Sequence, residues 1–324
     1  MKKIISILLS IFIVTTVVSS LVFASETGLI SDYNPTPSWW GGGSVKTVDT
    51  TSEPGVIIVK ASDAITSTTN TFYLSGPQFD PTSTTPVPSN AKYIKLSFSI
   101  TSKVELEKMF GTINSPSALK DAGKRYFYPT DDHTTGKVGT WKAGQPYNIT
   151  ILLDIDSQSV CLYCDGMFMG GQFNVGDLTT LQKYRFSPIP KADPNFVIGV
   201  EVYRVTNLKQ EAYDSTATLE SMGLYMFSAE YDPDEKEYTV DHTMSSMYDK
   251  ATGATEIAAF NTWIAGYDEN NVLLFAKVIS WSPTVLSSGM TVSAPQEAHT
   301  LRAFCWSGTS MEPLMPVSPV KTSN

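Results

Sequence analysis

The chain has 324 residues, 42% of them hydrophobic, with 32 acidic against 23 basic side chains and a formal net charge of −9. That acidity argues against nucleic acid and anionic membranes as partners. Three cysteines, an odd number, argue against a disulfide framework, so ordinary packing must build the core.

Residues 1–24 read as an export signal. Lys2 and Lys3 precede an apolar run from Ile4 to Phe23, and Val22-Phe23-Ala24 offers a small residue before Ser25. The run is also long enough to span a membrane, so an uncleaved anchor is the alternative. Cleavage gives a secreted, extracellular protein with no membrane contact, two charges more negative for the loss of the lysines.

The rest is rich in Thr, Ser, Val, Tyr, Gly and Pro and lacks long helical periodicity, which reads as all-β. Ser31–Ser44 is irregular and holds Trp39-Trp40 before Gly41-Gly42-Gly43. Short strands are expected at Gly55–Ala61 and Thr71–Leu74. Ala91–Thr101 alternates, with Ile94, Leu96, Phe98 and Ile100 on one face and Tyr93, Lys95, Ser97 and Ser99 on the other. This predicts a half-buried strand with one core face. Asn114–Gly123 is expected to be a short helix or turn.

Tyr147–Gly171 predicts a three-strand meander. Its second strand, Ser159–Cys164, closes in Asp165-Gly166, a two-residue hairpin signal. The Cys-x-x-C of Cys161 and Cys164 therefore falls on a strand. Residues three apart there point to opposite faces about 10 Å apart, beyond the roughly 7 Å Cα separation of a disulfide. Two unpaired thiols follow, without a structural zinc. Further strands are expected at Lys183–Ser187, Phe196–Val205 and Thr216–Ser228.

Tyr231–Lys236 is charged and contains Pro233. It suggests a boundary: a first domain over 30–228, a linker over 229–236 and a second domain over 237–318. Beyond it, Tyr238–Met247, Ala254–Tyr267, Val272–Trp281, Gly289–Val292 and Thr300–Trp306 give strands at sandwich spacing, with Asp268–Asn271 as a hairpin tip. Trp263, Trp281 and Trp306 are read as core of this second unit, and Trp141 as core of the first.

Two stretches resemble known families. Gly139-Thr140-Trp141 and Asn148–Gly166 (NITILLDIDSQSVCLYCDG) resemble the middle of a concanavalin-A-like or laminin-G-like jelly roll. Ala265–Leu273, Thr300–Trp306 and Met311-Glu312-Pro313-Leu314 are similar to a small immunoglobulin- or fibronectin-like sandwich module. That module is common in secreted proteins of clostridia and related Gram-positive bacteria. Arg302 stands near a position where the module carries lysine, and Glu312 replaces another lysine. The resemblances imply a jelly-roll β-sandwich followed by a smaller one, and a lectin-like, carbohydrate-binding function.

No metal-protease, nucleophile-elbow or phosphate-loop pattern surrounds the three histidines or the glycines. Asp154-Ile155-Asp156 lacks the glutamates of a glucanase strand, although Glu201 and Asp156 could meet in space. Trp39 and Trp40 could stack on sugar rings, or one could plug the sandwich end. Tyr126, Tyr128, Asp131, Asp132 and His133 make an aromatic and polar loop suited to sugar hydroxyls or to calcium, or else a solvated turn. The expected partner is a polysaccharide or cell-surface glycan. A structural or adhesive surface protein and a glycoside hydrolase or lyase remain alternatives.

Overall fold

The computed structural model describes residues 28–33, 37–39, 45–61, 72–75, 86–114, 142–173, 175–181, 183–241, 246–249, 260–281, 290–307 and 313–322. In chain order the strands are β1 (Leu29–Tyr33), β2 (Pro37–Trp39), β3 (Val45–Asp49), β4 (Ile57–Ala61), β5 (Phe72–Ser75), β6 (Tyr93–Ser102), β7 (Leu106–Asn114), β8 (Pro146–Asp154), β9 (Ser159–Cys164) and β10 (Met167–Phe173). They continue as β11 (Lys183–Pro190), β12 (Glu201–Tyr213), β13 (Phe227–Asp232), β14 (Glu237–Asp241), β15 (Ser246–Asp249), β16 (Phe260–Tyr267), β17 (Leu273–Trp281), β18 (Met290–Ser293), β19 (Thr300–Ser307) and β20 (Ser318–Thr322). One 3-10 turn, Leu178–Thr180, is the sole helical element among the described residues. The fold is all-β.

Three sheets result among the described residues. A nine-stranded sheet runs β15-β10-β9-β8-β6-β12-β4-β3, with β1 also paired to β12. A four-stranded sheet runs β2-β5-β11-β7, and a seven-stranded sheet runs β17-β16-β19-β20-β13-β14-β18. The first core lies between the nine- and four-stranded sheets. It joins Ile94, Leu96, Phe98 and Ile100 of β6 to Ile149, Ile151 and Leu153 of β8, and reaches Leu106 and Tyr184 of the smaller sheet.

The meander forms as its pattern predicts. β8 pairs with β9 and β9 with β10, both antiparallel. Asp165 and Gly166 take φ of 49° and 80°, the left-handed pair that a two-residue hairpin requires. Gly166 is also held close: a Cβ there would lie 2.7 Å from the Gly223 carbonyl oxygen. Cys161, Cys164 and Cys305 are free thiols. Val160, Leu162 and Cys164 face the first core, while Cys161 and Tyr163 face a second. Burial pushes the Cys161 and Cys164 thiols well above their usual range, which keeps them protonated and unreactive.

Four expectations change. The face of β6 carrying Tyr93 and Lys95 is covered rather than solvated. Tyr93, Leu152, Cys161, Tyr163 and Tyr213 of the nine-stranded sheet join Phe227, Tyr238, Phe260, Leu301 and Cys305 of the seven-stranded sheet in one second core. Lys95 is held on that face by Glu211 at 3.4 Å and donates from Nζ to the Met222 carbonyl at 3.0 Å. Burial raises the Glu211 pKa, but Lys209 and Lys95 outweigh it and hold the carboxyl below its ordinary value.

Residues 196–200 are turns, and the strand is Glu201–Tyr213. Asn207, at φ 55°, sits in a register shift between Thr206 and Lys209, which breaks the alternation that a sequence pattern relies on. Residues 214–226 are mostly turns. Asp214 and Thr218 accept hydrogen bonds from backbone and hydroxyl groups just after them, which competes with strand pairing. Their apolar members Ala217, Leu219, Met222, Leu224 and Met226 still enter the second core. Finally, the segment expected as a linker over 229–236 is the end of β13 and its tight turn into β14. Asp232 Oδ1 accepts from the backbone of Asp234 and Glu235 there, and Lys236 takes φ of 54°.

Candidate ligand-binding surface

β16 and β19 are neighbours in the seven-stranded sheet and alternate cleanly. Phe260, Thr262 and Ile264 of β16, and Leu301, Ala303, Cys305 and Ser307 of β19, are buried toward the second core. The other face carries Asn261, Trp263, Arg302, Phe304 and Trp306, all half-buried. The register sets Trp263 opposite Phe304 and Asn261 opposite Trp306. On its other side Trp263 faces Val278, which is 50% exposed, and Asn261 faces Ser280. Strand geometry places such rows about 7 Å apart along the chain and about 4.8 Å apart across it. The result is a strip of three large rings on an outer sheet face.

The strip has polar neighbours but no carboxylate in these rows. Ser280 Oγ donates to Asn261 Oδ1 at 2.7 Å, which leaves the Asn261 amide protons for another acceptor. The Arg302 guanidinium lies 5.0 Å from the Tyr267 ring centroid, and its Nη2 donates to Asn271 Oδ1 at 3.4 Å. The close ring contact beneath Gly266, where a Cβ would collide with Phe275, lets β16 and β17 lie tightly together at this end.

Trp263 and Trp306 were expected in the core and instead stand on the face away from it. The misreading follows from size, since bulky rings are ordinarily the residues that fill a core. The charge of Arg302 carried the opposite signal: it shares a parity with Phe304 and Trp306, so the face holding the rings must also hold a guanidinium. Trp281 stands opposite Phe260 in the register.

Of the residues expected to bind ligand, Trp40, Tyr126, Tyr128, Asp131, Asp132 and His133 lie outside the described residues, as does Trp141. Any calcium site at Asp131-Asp132-His133 lies there too. Trp39 ends β2 in the row Trp39–Phe72–Phe186, one row along from Pro37–Leu74–Tyr184–Ile113. The Trp39 side chain lies outside the described residues.

The described carboxylates do not form a catalytic pair at Glu201 and Asp156. Tyr203, two residues after Glu201, pairs with Ser102 at one end of β6, and Asp154 pairs with Tyr93 at the other. Ten residues of strand separate those ends by about 30 Å, against about 5–10 Å for a glycosidase pair. Glu201 is also committed elsewhere: Arg204 donates to it from Nε at 2.8 Å and from Nη2 at 2.7 Å. Those bonds hold the Glu201 carboxyl below its ordinary value, the wrong direction for a general acid. Arg204 Nη1 donates to Glu53 at 3.3 Å, so the two glutamates share one cation. Asp156 is exposed and pairs with Lys92 at 3.7 Å.

The described surface also carries open clefts away from this strip. One, of about 610 Å³, is largely apolar and lies between Pro86–Ser89 and Ile155. Another, of about 530 Å³, is polar and is lined by Tyr231, Tyr238, Glu297 and His299.

No family model and no curated protein matches this chain. Among solved structures, a sialidase overlays at 11% identity and a TM-score of 0.32, covering 56% of this chain; the chain spans 18% of that protein's length. The Emp46p carbohydrate recognition domain in its metal-free form overlays at 12% identity and a TM-score of 0.32, covering 56% of this chain and 88% of that one. Lectin UEA-II complexed with galactose overlays at 14% identity and a TM-score of 0.30, covering 57% and 98%. Scores this low carry no argument about ligand or ancestry, so the all-β sandwich assignment rests on the sheet registers above.

Proposed function

We propose that this protein binds carbohydrate without cleaving it, as an exported protein whose partner is a polysaccharide or cell-surface glycan. The observation that carries the reading is the strip Trp263–Phe304–Trp306 on an outer sheet face. A sugar ring presents an apolar C–H face and a rim of hydroxyls. Half-buried indoles desolvate that face, while Asn261, Ser280 and Arg302 offer amide, hydroxyl and guanidinium groups to the rim. The signal-like residues 1–24 support an extracellular setting, and the resemblance of 237–318 to a module of secreted Gram-positive proteins supports such an origin. The separation of Glu201 from Asp156 and the hold of Arg204 on Glu201 and Glu53 support binding over hydrolysis at that pair.

The test is calorimetry of the purified protein against a panel of soluble polysaccharides, with Trp263→Ala and Trp306→Ala measured separately. Each ring is expected to contribute about 1 kcal/mol, so each variant should bind roughly fivefold more weakly. Because both rings lie on the face away from the second core, thermal melting should change little. Binding by the wild type that neither variant weakens would place the site elsewhere. Failure to bind any glycan at millimolar concentration would leave a structural or adhesive role in place of this one.

A further inference from the structure

Tyr231 and Tyr238 are register partners on β13 and β14, and their rings meet at 4.8 Å between centroids. Tyr231 is half-buried at the edge of the second core, whereas Tyr238 is 2% exposed. Both line the polar cleft of about 530 Å³. Glu297, Ala298 and His299, from the segment between β18 and β19, and Thr322 at the end of β20 line it with them.

The polar groups of this cleft are short of partners. The Tyr238 hydroxyl accepts from the Ala298 backbone N–H at 2.7 Å, and nothing among the described residues accepts its own proton. Burial raises the Tyr238 pKa, the Ala298 bond opposes the rise, and the nearby Glu297 carboxylate adds to it. Glu297 is exposed and makes no ion pair or hydrogen bond with any described residue. Among the described residues, no lysine or arginine lines the cleft.

A buried phenol with an unused donor and a carboxylate without a cation call for a ligand that supplies both an acceptor and a positive charge. The paired tyrosine rings favour a cation as well. So does the chain as a whole, in which acidic residues outnumber basic ones by 32 to 23 and attract positive charge at longer range. An amino sugar carries an ammonium group and hydroxyls on one ring. A lysine side chain brings the nitrogen without the hydroxyls, and would leave Tyr238, His299 and Thr322 unanswered.

We propose that this cleft binds an amino sugar through its ammonium group, with Glu297 pairing the charge, Tyr231 packing against the sugar, and Tyr238, His299 and Thr322 meeting its hydroxyls. The inference rests on the carbohydrate-binding reading and adds a second site of different chemistry, since the rows of the Trp263–Trp306 strip hold no carboxylate.

The experiment is calorimetry with a glucosamine hexamer and its fully N-acetylated counterpart, which has the same backbone without the charge. It is run at about pH 7, where an amine with an ordinary α-amino pKa is still mostly protonated. The wild type should bind the glucosamine hexamer more tightly than the acetylated one. That preference should fall about threefold in Glu297→Gln, as for an exposed charge contact, with thermal melting unmoved. Glu230→Gln removes the same charge from an exposed position on the opposite face of β13 and should keep the preference. For the wild type, raising salt from about 50 to about 300 mM should weaken binding of the glucosamine hexamer. An equal loss in both variants would mean attraction to the acidic chain at large and would overturn the inference. Equal, salt-independent binding of both hexamers, or binding of another glycan but of neither hexamer, would overturn it and leave the carbohydrate reading standing. Tighter binding of a lysine oligopeptide than of the glucosamine hexamer would overturn it in favour of a basic peptide. Binding to no glycan at all would remove the carbohydrate reading and the inference with it.

Discussion

The two cores of this protein share a wall and little else. The first, between the nine- and four-stranded sheets, is filled largely by branched aliphatics from alternating positions of regular strands, as in Ile94, Leu96, Ile149, Ile151 and Val205. The second lies on the other side of the same nine-stranded sheet. It is dominated by rings and sulfur: Tyr93, Tyr163, Phe168, Phe227, Tyr238, Phe260, Cys161, Cys305, Met222 and Met226. Flat strands facing flat strands leave a gap that β-branched side chains fill evenly. A space bounded by two sheets and the irregular 214–226 segment has uneven gaps, which flexible methionines and large rings fill better. The difference shows that the nine-stranded sheet is an interior layer, buried on both faces over much of its width.

The largest effect that would break this comparison is a cavity in the first core. Leu96 is fully buried on β6, at the centre of the nine-stranded sheet. Leu96→Ala should cost about 3 kcal/mol, from lost transfer energy plus the cavity left behind. Because the sheet walls both cores, denaturant unfolding followed by tryptophan fluorescence and by far-ultraviolet circular dichroism should shift as one transition. Two separated transitions, of which only the earlier moves, would mean that the second core stands without the first.

How much of this was legible in the sequence follows the same division. The first core was readable because β6 and β8 alternate without interruption, and the Asp165-Gly166 hairpin announces its own turn. The second core was not. Its members come from sequence segments up to roughly two hundred residues apart, and 214–226 contributes side chains without strand periodicity. The covered face of β6 was missed because Lys95 looks solvated until Glu211 and the Met222 carbonyl are seen to hold it. Of the candidate surface, the rings of Trp263 and Trp306 were noticed but given to the wrong face.

A smaller effect sharpens the contrast through charge. Asp154 is 4% exposed at the edge of the second core, in the row Tyr93–Asp154–Ser159. Burial raises its pKa above the ordinary 3.8, and the hydrogen bonds from Ser157 offset this only in part. A carboxyl raised in this way favours the folded state while protonated, below its unfolded pKa. That contribution is lost as pH rises through the folded pKa. Asp154→Asn keeps an acceptor for Ser157 and removes the charge. The variant should therefore gain stability relative to the wild type as pH rises from about 4 to about 7, with little difference at the acid end. A variant less stable at neutral pH would show that the charge of Asp154, through Lys92, holds the edge of the core together.

The smallest expected effect concerns Tyr163, fully buried in the second core, its ring edge-on to Phe168 at 5.6 Å between centroids. Its hydroxyl has no hydrogen-bond partner among the described residues. Burial, with Cys161, Asp154, Tyr93 and Cys305 nearby, pushes its pKa well above the ordinary value, so it stays neutral throughout the physiological range. A buried hydroxyl without a partner costs about 1–3 kcal/mol of desolvation, while the ring contributes packing that phenylalanine reproduces. Tyr163→Phe should therefore leave stability unchanged or raise it by up to about 1 kcal/mol, measured by denaturant midpoint at constant m-value. Tyr203, whose hydroxyl is likewise unpartnered in the first core, should answer Tyr203→Phe in the same way. A loss of about 1 kcal/mol or more at Tyr163 alone would reveal a partner for its hydroxyl in the second core. The double variant with Asp154→Asn would then decide whether that partner is the Asp154 carboxyl, because coupled groups lose less together than the sum of their separate losses.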